Sequence, residues 1–178
     1  TGTGEHAALL IRKVGKLSKA ICTSGFTGTF PSRAARSLRK DFSYTGVEYG
    51  NYDTYKVRKT LDNGCHLFVC SVPRKGFLNY DLESAHGWNI DGYKVCGYDQ
   101  IKRYYQDDKL VCTTSEKISN TYVHCDFGWK DGLNNGYFAS GVFDLSAGQD
   151  WDGNRDSTIT TNYNWYLKTI TYDAPVKE

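Results

Sequence analysis

The sequence predicts an α+β fold. Two observations carry this. Helix-period segments are confined to residues before Gly64, and short strand-like runs separated by turn residues fill the rest. The composition agrees: 39% of residues are hydrophobic and 15% are aromatic, which suits twisted sheets with aromatic pairs better than a helical rod.

Taken in order, residues 5–21 predict a first helix, with Leu10, Val14, Leu17 and Ile21 at helical spacing and Arg12, Lys13, Lys16 and Lys19 on a polar face. A Gly/Ser/Thr loop follows from Cys22 to Phe30. Pro31 and Ser32 start a second helix to about Lys40, since Pro at a helix start loses no hydrogen bond; Ala35, Leu38 and Phe42 form its stripe. Asp53 caps a short third helix to about Leu61, ended by Asn63-Gly64. Strands are then predicted at 65–72, 87–93, 101–106, 109–114, 120–127, 136–144 and 158–172, with turns such as Asp107-Asp108 and Asn134-Asn135-Gly136 between them. Residues 94–119, longer than a minimal connection, read as an inserted hairpin. Residues 146–157 read as a polar surface loop.

The length of 178 residues predicts one domain over 1–178, a helical segment (1–64) followed by a β-rich one (65–178). A net charge of +2 argues against a nucleic-acid binder. No apolar run approaches a membrane span. Thr1 opens a chain without Met, which predicts a processed or trimmed piece. The six cysteines, Cys22, Cys65, Cys70, Cys96, Cys112 and Cys125, contain no CxxC and no zinc-type ligand spacing, so no metal or cofactor is expected. They read mainly as free thiols, with a Cys96–Cys112 bridge on one hairpin as the minor alternative.

A general base needs an imidazole held in one tautomer by a partner. Four His are available, His6, His66, His86 and His124, and any one taken alone reads as structural. His86 lies among small residues in Ser84-Ala85-His86-Gly87-Trp88-Asn89-Ile90-Asp91-Gly92-Tyr93. His124 opens His124-Cys125-Asp126-Phe127-Gly128-Trp129, which alternates as a strand and turns at glycine.

Together, these two segments followed by Asn134-Asn135-Gly136-Tyr137-Phe138 resemble the streptopain-like cysteine peptidases of the papain-like clan. That family carries Gly-His-Ala-Phe/Trp-Val-Ile-Asp-Gly, then His-Val-Asn-Trp-Gly-Trp-Gly-Gly, then Gly-Phe/Tyr-Phe. The loop after the first helix, Ser32–Leu38 and Phe42-Ser43-Tyr44 add a weaker upstream likeness. The resemblance implies a papain-like fold: N-terminal helices followed by an antiparallel sheet. It makes His86 the catalytic imidazole and puts Asp126 where the family has the Asn that orients it. Trp129 matches the second Trp of the motif, which shields that pair from water, and Phe127 replaces the first. Trp88 falls on the bulky aromatic after the His, where core packing is the plainer reading. Ser84 and Ala85, with the loop 23–31, would border the substrate groove.

Departures from the pattern are informative. Asp126 stands for Asn, and as a carboxylate it would favour the imidazolium more than an amide does. Lys130 and Asp131 replace two glycines. The Cys-led helix of the family has no counterpart, and Cys22 falls in the wrong place to be the nucleophile. The resemblance therefore implies the C-terminal, base-bearing portion of a cysteine endopeptidase acting on peptide or protein substrates. An N-terminal chain or segment would supply the Cys, and the chain by itself would be inactive or nearly so. It also implies a secreted or cell-envelope location in a bacterium. Two other readings are an inactive homologue that binds peptides, and a carbohydrate-binding β-module using Trp151, Trp165 and the many Tyr.

Overall fold

The computed structural model describes residues 2–24, 27–73 and 81–173; residues 25 and 26 of the predicted groove loop lie outside them. The elements are α1 (Gly2–Leu17), β1 (Ile21–Cys22), β2 (Thr27–Gly28), α2 (Pro31–Asp41), β3 (Glu48–Asn51), α3 (Thr54–Asp62), β4 (His66–Val72), β5 (His86–Gln106), β6 (Lys109–Asp126), β7 (Gly136–Ala139), β8 (Phe143–Asp144), β9 (Asn162–Tyr163) and β10 (Trp165–Tyr172). A 3₁₀ turn covers Lys130–Gly132. The α+β class expected from the sequence is what is observed. Among the described residues no helix is long and apolar enough to cross a membrane.

Local chemistry accounts for the helix ends. Pro31 starts α2, and Asp53 Oδ1 accepts the Lys56 N–H at 2.7 Å to cap α3. α1 ends at Leu17, not at residue 21. Lys19 turns left-handed (φ 52°), and the Ala20→Gly15 and Lys19→Lys16 backbone bonds close a Schellman motif. Ile21 then joins β1. Leu9, Leu10, Ile11 and Val14 remain exposed, and of the predicted stripe only Leu17 is half-buried.

The main sheet has the order β3-β10-β4-β5-β6-β7, every pair antiparallel. Several predicted strands merge or split. The pairs 87–93 with 101–106 and 109–114 with 120–127 are two continuous strands, β5 and β6. The predicted 136–144 divides into β7 and β8, which lie in different sheets, and 158–172 shrinks to β9 and β10. β3, a polar edge strand between two helices, was not anticipated.

β5 and β6 turn at Asp107-Asp108, both at positive φ (45° and 61°), the backbone of a type I′ hairpin. Residues 94–119 form the anticipated hairpin as a two-stranded ribbon. β4 pairs with β5 only between His86 and Asn89, and β7 with β6 only between Tyr122 and Cys125, so both outer edges of the ribbon are open among the described residues. Cys96 stands opposite Asn120 and Cys112 opposite Tyr104, so the Cys96–Cys112 bridge does not form; all six cysteines are free thiols.

Side chains alternate across the sheet. On one face Val57 of α3 shares a core with Leu67, Val69, Trp88, Ile90, Val123, Cys125, Phe127, Phe138, Phe143 and Tyr163. On the other, Ala35 of α2 meets Val47, Ile170 and Phe68. Trp88 is fully buried, edge-on to Phe143 with centroids 5.1 Å apart. Its place is in the core, directly behind the candidate site.

Candidate active site

His86 opens β5. It stands opposite Ser71 of β4, with Gly87 opposite Cys70 and Trp88 opposite Val69. Its ring shares the core face with Trp88 and Ile90 but lies at the sheet's margin, where it is half-buried. Trp129 packs on it at 5.0 Å between centroids, with Phe127 and Tyr163 each at 6.1 Å. Gly128 (φ 70°) makes this possible, because the left-handed turn after β6 folds Trp129 back over the imidazole.

The ring's hydrogen bond decides its chemistry. Nε2 lies 2.8 Å from the Phe127 carbonyl oxygen. A carbonyl only accepts, so Nε2 carries the proton, and the Nδ1 lone pair has no partner among the described residues. Burial pushes the His86 pKa below its usual 6.5, and the Phe127 carbonyl partly opposes that. The ring is therefore a neutral base at neutral pH.

Asp126 does not touch His86. In the register it stands opposite Asn89, and the alternation puts its side chain on the face away from His86. Its Oδ1 accepts from Asn135 Nδ2 at 2.7 Å and from the Gly128 N–H at 3.0 Å. Asn135 Oδ1 in turn accepts the Phe127 N–H at 2.8 Å. Ser84 is bound by Asp81, its hydroxyl donating to Oδ2 at 2.6 Å, in the turn that precedes His86; Ala85 is exposed beside the ring. His124 is bound elsewhere, with Nδ1 2.5 Å from Asp91 Oδ1 on the opposite face.

Sequence reasoning missed three groups here: the Phe127 carbonyl, Tyr163 and Asn135. A backbone acceptor leaves no trace in residue identity. Asn135 had a signal, since Asn before Gly marks a turn whose side chain bonds nearby backbone.

No cysteine thiol is in hydrogen-bond contact with His86 among the described residues. Cys70 faces away from it, and burial pushes its thiol up to about 12. Burial raises Cys125 well above its usual value, and the Asp173 carboxylate raises Cys65. Cys22, Cys96 and Cys112 are exposed on peripheral strands. No group of three His, Cys, Asp or Glu is placed to hold a metal among the described residues.

Comparison with curated proteins and with solved structures finds no match to this chain. The model of the Peptidase C10 family matches residues 3–138, which span α1 through β7 and contain His86, Asp126, Trp129 and Asn135. This chain therefore belongs to the Peptidase C10 family, the streptopain family of cysteine peptidases.

Proposed function

We propose that the chain supplies the general base of a cysteine endopeptidase site, with His86 as the base. The supporting observation is the His86 Nε2–H bond to the Phe127 carbonyl, which leaves the Nδ1 lone pair without a partner among the described residues, under the cover of Trp129. A thiol brought against Nδ1 from outside the described residues, by an N-terminal chain or segment in a papain-like arrangement, gives up its proton to His86. The thiolate attacks the scissile carbonyl, and His86 returns the proton to the leaving amine. In deacylation His86 takes a proton from water as the thioester opens, and the thiolate leaves with the carboxylate product free. General-base help of this kind contributes roughly 10²–10⁴-fold. Ala85 and the Asp81–Ser84 turn border the ring and form one wall of the substrate groove. The family is one of extracellular bacterial peptidases, which supports a secreted or cell-envelope site of action.

The test is hydrolysis of a denatured protein by the full gene product. His86→Ala should abolish it, and an alkylating thiol reagent should abolish it in the parent. Activity that survives both treatments overturns the reading. One observation favours a second reading, an inactive homologue that binds peptides: no cysteine of the chain is set against His86. Peptide binding by a full gene product that never hydrolyses would establish it. The carbohydrate-module reading has less behind it. Trp151 packs edge-on to Tyr122 at 4.5 Å beside β7, whereas Trp165 lies tilted on Tyr166 at 5.6 Å on β10, with β4, β5 and β6 between them, so the two form no common row.

A further inference from the structure

We propose that Asp126 and Asn135 are positioning residues that fix the tautomer of His86 through the Phe127–Gly128 peptide. The inference rests on His86 being the base. It replaces direct contact with Asp126 by a relay across one peptide unit.

The unit that accepts the His86 proton has two polar ends. Its C=O belongs to Phe127 and receives Nε2–H at 2.8 Å; its N–H belongs to Gly128 and donates to Asp126 Oδ1 at 3.0 Å. A peptide is planar, so holding the N–H end fixes the direction of the C=O end. A carboxylate on the N–H also polarises the amide and makes its carbonyl a stronger acceptor. Asp126 therefore acts on the ring from across the sheet. Its charge is felt at one remove, and burial still dominates the His86 environment.

Asn135 locks the relay. Its amide donates to the same Asp126 oxygen, and its carbonyl oxygen holds the Phe127 N–H, so both peptides flanking Phe127 are tied at their donors. Asn135 is itself held by the 146–157 segment, which the sequence had offered only as a polar loop. Asn134 N–H donates to Asn154 O at 2.7 Å, Tyr137 N–H to Trp151 O at 3.0 Å, and Asp156 N–H to Asn134 Oδ1 at 3.0 Å. Gly153 passes so close that a Cβ there would lie 1.8 Å from the Asn135 carbonyl oxygen.

A reciprocal exchange of the pair provides the test, read by ¹⁵N NMR of His86 in this chain. The parent should show the Nε2–H tautomer. Asp126→Asn keeps an acceptor oxygen and should leave the tautomer ratio within about twofold. Asn135→Asp sets two carboxylates face to face and should cut the ratio about tenfold, the worth of one hydrogen bond. The double variant Asp126→Asn/Asn135→Asp restores a donor–acceptor pair and should recover most of the loss. Asp126→Ala, which removes the acceptor, gives a second route if Asn135→Asp does not fold; it too should lose the bias. A parent ratio in Asp126→Ala or in folded Asn135→Asp, or no recovery in a folded double variant, overturns the proposal. The tautomer is read without turnover, so loss of the peptidase reading through an active His86→Ala is a separate outcome.

Discussion

Gly87→Ala tests the packing beside the strand end that carries His86. A Cβ built on Gly87 would lie 2.2 Å from Phe68 Cζ, 2.9 Å from Cε1 and 3.2 Å from Cε2. The far edge of the Phe68 ring points at Gly87 from the neighbouring strand, on the face opposite His86. A normal carbon–carbon contact needs about 3.5–4.0 Å, so ring or strand must move by more than an ångström. Phe68 belongs to the cluster of Ala35, Val47 and Ile170, and a rigid ring cannot bend at its tip. Overpacking of this size costs about 1–3 kcal/mol, while replacing a strand glycine by alanine returns about 0.5–1. The net is a loss of up to about 2.5 kcal/mol, at roughly 2–4 °C in Tm for each kcal/mol in a chain of this size. Urea unfolding should show a lower midpoint at unchanged slope. Phe68→Leu in the Gly87→Ala background should recover part of the loss, because the shorter side chain vacates the space. A stabilised Gly87→Ala, or no relief from Phe68→Leu, would refute the reasoning.

The other predictions concern titration, thiols and the ribbon. His86 has a lowered pKa in the folded chain, so the unfolded state binds its proton first as pH falls below about 6.5. Its contribution is complete above that pH and is lost as pH drops through the lower folded value. Denaturant unfolding between pH 5 and 8 should therefore show an acid slope that His86→Gln reduces, and an unchanged slope would count against burial of the ring. Alkylation at pH 8 followed by mass spectrometry should label Cys22, Cys96 and Cys112 before Cys70 and Cys125, whose thiols are buried and resist ionisation. Replacing residues 98–118 by Asn-Gly, which closes a hairpin between the paired Gly97 and Ser119, should change unfolding stability by only about 1 kcal/mol, because no residue of that span joins either core cluster.

What the sequence disclosed divides along physical lines. α2 and α3 were legible because Pro31 and Asp53 mark their starts by local chemistry that nothing distant overrides. α1 was legible as a helix, but periodicity says only that a face is apolar, not what covers it, and here most of that face is exposed. The unbroken length of β5 and β6 was hidden because an exposed ribbon needs no alternation of apolar and polar residues; its continuity lies in backbone pairing. At the site, the motif places His86 and Trp129 on segments whose rings pack together. Direct contact with Asp126 was not found, and strand parity gave a hint of it: Cys125 and Phe127 on either side are core residues, so Asp126 faces away. The relay through Asn135 depends on how the turn at Gly128 folds back, which no spacing encodes.

The ribbon's open edges bear on how the protein behaves at high concentration. An unpaired strand edge is a template for another chain, and natural proteins guard it with charges. Lys94, Asp99, Lys102, Arg103, Asp107, Asp108, Lys109, Glu116 and Lys117 provide that guard along most of its length. The longest gap between these charges is Leu110-Val111-Cys112-Thr113-Thr114-Ser115, six uncharged residues without Pro or Gly on an exposed strand. This is the composition that stacks into cross-β assemblies. Thr113→Lys should therefore delay aggregation, read by light scattering at high concentration, without altering the surroundings of His86.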